Sequence, residues 1–219
     1  MVFSAIRERV REIKVSIPGH GVELEGLLIH QEALEFRGGV ILCHPHPLYG
    51  GNMYNTVIAS ATEAASAEGF CTLRFNFRGV GESSGSYDEG IGEEDDVRAA
   101  INHLDAELGA SPRSLIVAGY SFGAWVGLKV AARDVRVTEM VAIAPPLELY
   151  DFGFLEKSRK EKLFIAGTED IHCPLPLLEK FHRGLEEPKS LVVIPEADHF
   201  FSTHGRSLIQ PLREFFKKR

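Results

Sequence analysis

The stretch from Ser114 to Trp125 constrains this chain most. An apolar run, Leu115 to Ala118, leads into Gly119-Tyr120-Ser121-Phe122-Gly123, and a helical pattern starts at Ala124 and Trp125. A serine so placed sits on a sharp turn between a buried strand and a helix. Its Oγ is held clear of its neighbours, near the positive end of the helix dipole. The flanking glycines have a physical role, because side chains there would clash with tight strand–turn–helix packing.

The same alternation of apolar run and helical pattern recurs along the chain. Ile13, Val15 and Ile17 alternate with polar residues, and Val22, Leu24 and Leu27 to Ile29 follow a Pro18-Gly19-His20-Gly21 turn. This predicts an antiparallel hairpin at a sheet edge. Continuous apolar runs at 39–43, 70–77, 115–118, 140–144, 163–166 and 191–194 predict strands buried on both faces. Between them, 55–68, 92–108, 122–133, about 175–186 and 205–217 carry helical spacing. Glu93 to Asp96 stand in the first turn of the second of these, where acids suit the dipole. Strands alternating with helices predict a mostly parallel sheet covered on both faces, with ligands beyond the carboxyl ends of the strands.

A length of 219 residues fits one domain spanning 1–219. The formal net charge of −7 argues against a nucleic-acid backbone as partner. Three cysteines, Cys43, Cys71 and Cys173, give no disulfide framework. The first ten residues hold no long apolar segment, so a secretory leader is not expected. No run approaches the ~20 apolar residues that cross a bilayer. A cytoplasmic location with no membrane partner is the expectation. Oligomeric state is not legible.

A serine hydroxyl is a weak nucleophile without a base. His199 follows the run Leu191 to Ile194 after a short loop, and a histidine can accept and return a proton near neutral pH. Glu169 and Asp170 follow the run Leu163 to Ala166, and a carboxylate there can orient the imidazole. Asp198 adjoins His199, but adjacent side chains point apart, so it reads as a local turn residue. Donors for a developing oxyanion are also required. The N–H of Phe122 is one. The second is expected from the loop after Cys43, where Pro45 and Pro47 have no N–H, leaving His46 first and Leu48 second. Tyr49, Met53, Tyr120, Ile171 and Phe200, with Leu48, are expected to line an apolar pocket; simple packing is the alternative for each. Ser83 also sits in a G-x-S-x-G match, Gly81 to Gly85, but no helix begins directly after it, so 78–85 reads as a structural loop bordering the site. The histidines and cysteines at 43–46 and 172–173 match no strong zinc spacing, and no metal is expected.

The motifs His44 to Gly51, Arg74 to Arg78, Gly119 to Gly123 and Asp198 to Phe201 together resemble the small, lid-poor α/β-hydrolases related to dienelactone hydrolase and to the catalytic domains of acyl-peptide hydrolases. The order Ser121, Asp170, His199 is that of this fold. The resemblance runs from about residue 10 to the C-terminus and favours Asp170 over Glu169 as the acid. It implies an α/β-hydrolase fold with about eight strands, the first two forming the antiparallel edge. Residues 145–161, where lids usually enter, are too few for a large cap, so an open, shallow site is expected. It implies a cofactor-independent serine hydrolase acting on carboxylic esters with short acyl chains. A thioesterase, an aminoacyl-peptide hydrolase and a non-catalytic binding protein on the same fold are the alternatives. Dienelactone hydrolase proper uses a cysteine where this chain has Ser121, so lactone specificity does not carry over.

Overall fold

A computed structural model of the chain describes residues 10–31, 36–109 and 114–219. Residues 1–9 of the N-terminal stretch read above for a leader lie outside them. Eight strands form one sheet in the order β1-β2-β4-β3-β5-β6-β7-β8. The strands are β1 (Val10–Pro18), β2 (Glu23–Gln31), β3 (Gly38–Cys43), β4 (Cys71–Phe75), β5 (Ser114–Tyr120), β6 (Val137–Ile143), β7 (Glu161–Gly167) and β8 (Lys189–Ile194). β1 pairs antiparallel with β2, and β2 antiparallel with β4; every later pairing is parallel. The hairpin at the edge and the parallel body are those the sequence pattern predicts.

The continuous apolar strands are buried on both faces. In β5, Leu115 and Val117 join the core on one side, while Ile116, Ala118 and Tyr120 join the core on the other. The period-2 alternation of side chains makes both layers from one short run. Helices α2 (Ile91–Leu108), α3 (Phe122–Ala131) and α4 (Leu175–Gly184) supply side chains to the first core. Helices α1 (Thr56–Ala67) and α5 (Ile209–Lys217) supply the second.

Several expected boundaries shift by a few residues, and two of them have a local cause or form. The strand expected over 70–77 stops at Phe75: Asn76 N–H still donates to the Glu25 carbonyl of β2, but Phe77 N–H turns away to His44 Nε2. The helix expected over 205–217 opens as a 3-10 turn, Gly205–Leu208, before α5. Between β6 and β7 there is only loop with one 3-10 turn, Gly153–Leu155, so no large cap covers the strand ends.

Candidate active site

Ser121 sits between β5 and α3 with φ 53° and ψ −121°. A non-glycine residue held there costs about 1–3 kcal/mol, which the surroundings must over-determine. Ser121 N–H donates to the Ile143 carbonyl over 2.9 Å, and its own carbonyl accepts from Ala124 N–H at 2.9 Å. The turn closes only without side chains at its ends. A Cβ on Gly119 would lie 2.3 Å from the Gly123 carbonyl oxygen, and one on Gly123 would lie 2.2 Å from that of Cys43.

The turn aims Ser121 Oγ at His199 Nε2, 2.9 Å away. His199 Nδ1 lies 2.8 Å from Asp170 Oδ2 and 2.9 Å from Oδ1. With the Nδ1 proton donated to the carboxylate, Nε2 is free to accept from the serine hydroxyl. Asp170 Oδ1 also accepts from the N–H groups of His172 and Cys173, at 2.9 and 2.8 Å, so the carboxylate cannot rotate freely. Glu169 points out to solvent, whereas Asp170 and His199 are buried. The two loops that carry them are joined: Thr168 N–H donates to the Ile194 carbonyl, Glu169 N–H to that of Ala197, and Glu196 N–H to Thr168 Oγ1. Tyr120 reaches across from β5 and donates its hydroxyl to the His199 carbonyl over 2.9 Å. Burial pushes that phenol well above the ordinary tyrosine range, so it stays a donor.

Phe122 N–H is the first of α3, where backbone donors have no intrahelical partner. Across from it, the loop after β3 is stiffened by its own contacts. Leu48 N–H donates to His46 Nδ1 over 3.2 Å, and Gly51 N–H to the His46 carbonyl over 3.1 Å. Of the two amides expected as the second oxyanion donor, Leu48 is therefore engaged locally. The His46 ring packs 4.6 Å from Tyr49 and 4.9 Å from both Tyr87 and Phe122, and burial there lowers its basicity. His44 is a buried structural histidine. It accepts from Phe77 N–H at 3.0 Å, contacts the Pro45 carbonyl at 2.6 Å, and desolvation lowers its pKa to about 4.

Above Ser121 opens a cleft of about 520 Å³, within the usual range for small-molecule sites. Tyr49, Tyr120 and Phe200, expected there, do line it, together with Phe122. Three other expectations are corrected. Met53 is fully buried, anchored by its N–H to Asn76 Oδ1, and Leu48 and Ile171 are exposed outside the cleft lining. The pattern missed Leu149, Tyr150 and His172, which do line it. Their signal is position alone: all three follow strand ends at the carboxyl edge of the sheet. Tyr150 is fixed by stacking on Trp125 at 4.3 Å and 15°, and Trp125 Nε1 donates to the Asp151 carbonyl. His172 sets its ring 4.8 Å from that of His199.

The bland readings made from sequence hold geometrically. Ser83 is buried, donating to the Asn76 carbonyl and accepting from Glu25 N–H. The 78–85 loop lines the adjacent cavity through Gly79 to Glu82 rather than the cleft over Ser121, so it borders the site from outside. Asp198 caps its own turn by accepting from Ser202 N–H and Oγ. Arg78 is locked to buried Asp96.

A model of the alpha/beta hydrolase family matches residues 40–164, more than half of the chain and the span from β3 to β7. The chain belongs to the alpha/beta hydrolase family. Similar proteins include an uncharacterized protein of Rickettsia prowazekii, 34% identical over an alignment of 169 residues, with 74% of this chain and 71% of that one covered. An alpha-beta serine hydrolase homologue from Coxiella burnetii is 35% identical, with a TM-score of 0.83 over 94% of this chain and 96% of that one. A serine hydrolase from Xanthomonas campestris, described as lacking a lid, is 30% identical, with a TM-score of 0.85 over 95% of this chain and 94% of that one. Family, fold and neighbours agree on hydrolase architecture without a large cap. No helix among the described residues is long and apolar enough to cross a membrane.

Proposed function

We propose that this hydrolase is a serine carboxylesterase acting on short-chain acyl esters, with Ser121 as nucleophile, His199 as base and Asp170 as orienting acid. One observation carries the reading: Oγ, imidazole and carboxylate lie in series at 2.9 and 2.8 Å. The resemblance to lid-poor dienelactone hydrolase-like enzymes supports it.

In the proposed reaction, Ser121 Oγ attacks the ester carbonyl carbon while its proton passes to His199 Nε2. The carbonyl oxygen becomes an oxyanion and meets the N–H groups of Phe122 and His46. Collapse breaks the bond to the alcohol oxygen, which takes the proton from Nε2 and leaves. Water then attacks the acyl-serine, giving its proton to Nε2, and the second tetrahedral species releases the acid as Oγ takes that proton back. No step needs a metal or a cofactor.

A fluorophosphonate probe tests the nucleophile: the wild type labels and Ser121→Ala does not. Hydrolysis of p-nitrophenyl acetate and butyrate against octanoate tests the acyl preference. A folded wild type that fails to label favours a binding protein on this fold, and a marked preference for octanoate overturns the short-chain part.

A further inference from the structure

The cleft exceeds what an acetyl or butyryl group fills, so the rest of the substrate must occupy it too. Its walls say what that remainder is. Tyr49, Tyr150 and Phe200 present aromatic rings, buried Phe122 and Tyr120 back them, and Leu149 adds an aliphatic edge. Not one Asp, Glu, Lys or Arg is among the described residues that line it. The polar lining beyond Ser121 and His199 comes from Asn55, the imidazoles of His46 and His172, tyrosine hydroxyls and backbone.

The aromatic wall is also built rather than incidental. Phe122 lies 6.0 Å from Tyr150 and 4.9 Å from the His46 ring, which in turn holds Tyr49 at 4.6 Å. The stack on Trp125 immobilises Tyr150, and Phe200 stands edge-on to His199 at 5.4 Å and 86°. Rings held this way offer both faces and edges to a planar ligand, an attraction beyond area burial alone. A carboxylate or ammonium carried into such a cleft sheds water and meets no Lys, Arg, Asp or Glu side chain of the lining to pair with.

We infer that the substrates are neutral esters bearing an aromatic ring next to the ester group, and that charged esters are rejected. This rests on the esterase reading above. The ring could belong to the alcohol or to the acid, and the two arms of the test separate these sources.

The test measures kcat/KM by acid release for benzyl acetate and ethyl phenylacetate, each against its cyclohexyl counterpart, with ethyl acetate and 4-carboxybenzyl acetate as references. In at least one arm the aromatic ester is expected to exceed its cyclohexyl counterpart roughly threefold or more, and ethyl acetate about tenfold. The arm that responds says on which side of the carbonyl the ring sits. 4-Carboxybenzyl acetate is expected to fall about tenfold below benzyl acetate. Tyr150→Leu and Tyr49→Ala should each shrink the aromatic-to-cyclohexyl ratio, and because Tyr49 is exposed its variant does not threaten folding. Cyclohexyl esters matching the aromatic ones in both arms, or the carboxylated ester matching benzyl acetate, overturns the inference. Fluorophosphonate labelling run alongside separates the failures. Labelling without aromatic preference defeats the inference alone, whereas no labelling and no hydrolysis of any ester defeats the esterase reading and this inference with it.

Discussion

Tyr120, the residue before the turn serine, donates its hydroxyl to the backbone carbonyl of His199 over 2.9 Å. The strand that delivers Ser121 thereby also holds the loop that delivers the imidazole. The bond is buried and its acceptor is a main-chain group, so it fixes where His199 sits without titrating near neutral pH.

Tyr120→Phe keeps the ring and loses this bond. A buried neutral hydrogen bond is worth about 1 kcal/mol. Stability should fall by that order, read as a lower urea midpoint. Loosened placement of His199 should lower kcat for p-nitrophenyl acetate roughly fivefold, with KM changing less. An unchanged kcat would show that the loop is held without Tyr120.

The acid can be identified by a pair of substitutions. Asp170→Asn would keep an acceptor for His172 and Cys173 N–H but present the wrong partner to His199 Nδ1. The analogous change in serine proteases costs about 10⁴ in kcat, and a loss of roughly 10³–10⁴ is expected here. Glu169 is exposed and its Oε1 reaches only the neighbouring Thr168 hydroxyl. Glu169→Gln should therefore leave kcat within about twofold, as surface changes usually do. The reverse result would move the acid by one residue.

The tight turn predicts intolerance of a single methyl group. Gly123→Ala would put Cβ 2.2 Å from the Cys43 carbonyl oxygen and 2.5 Å from that of His44. Both are backbone atoms, so no side chain can swing away. A destabilisation of about 3 kcal/mol or more is expected, seen as a drop in thermal midpoint or loss of soluble protein. Gly184→Ala, whose Cβ meets nothing within 4 Å, is the control and should stay near wild type.

Much of this molecule was legible because both sheet faces are covered. Buried strands such as β3 read as continuous apolar runs, and each chemical residue follows one within a few residues. That makes Ser121, His199 and the carboxylates at 169–170 legible as candidates, and the structure joins Ser121, His199 and Asp170 through contacts of 2.8–2.9 Å. The choice of Asp170 over Glu169 was not legible from residue type. The structure separates them by which carboxylate turns inward to the amides of His172 and Cys173. The cleft walls were only half legible. Tyr150 depends on a stack with Trp125, far away in sequence, which no local period encodes. Met53 looked like a lining residue, but a backbone bond to Asn76, supplied by another strand end, draws it into the core.

Stability should depend on pH through His44. Its folded pKa of about 4 lies below the ordinary 6.5, because desolvation disfavours the cation. Below pH 6.5 the unfolded chain binds a proton there that the folded chain does not. Stability from this group is full above about 6.5, falls as pH drops toward 4, and levels off below that. The span is on the order of 3 kcal/mol. Urea unfolding at pH 7.5 and pH 5 should show the loss. In His44→Gln, which can still accept from Phe77 N–H, the difference should shrink. An equal difference in wild type and variant would assign the effect to other groups.

The second oxyanion donor can be isolated by comparing two substitutions at one position. His46 has φ −52° and ψ 123°, which proline can adopt without backbone change. Its neighbours Pro45 and Pro47 already lack N–H groups. His46→Pro deletes the amide proton and the ring together, while His46→Ala deletes only the ring, so their ratio reports the N–H. The ring holds Leu48 N–H and packs on Phe122, so His46→Ala should itself lose some activity. One oxyanion donor is commonly worth about 10²–10³ in kcat. His46→Pro is therefore expected to be roughly 10²-fold slower than His46→Ala toward p-nitrophenyl acetate, with both still labelled by fluorophosphonate, His46→Pro more slowly. Equal kcat values would mean that the amide of residue 46 does not meet the oxyanion. Freed from the ring in both variants, Leu48 N–H would then be the donor to examine.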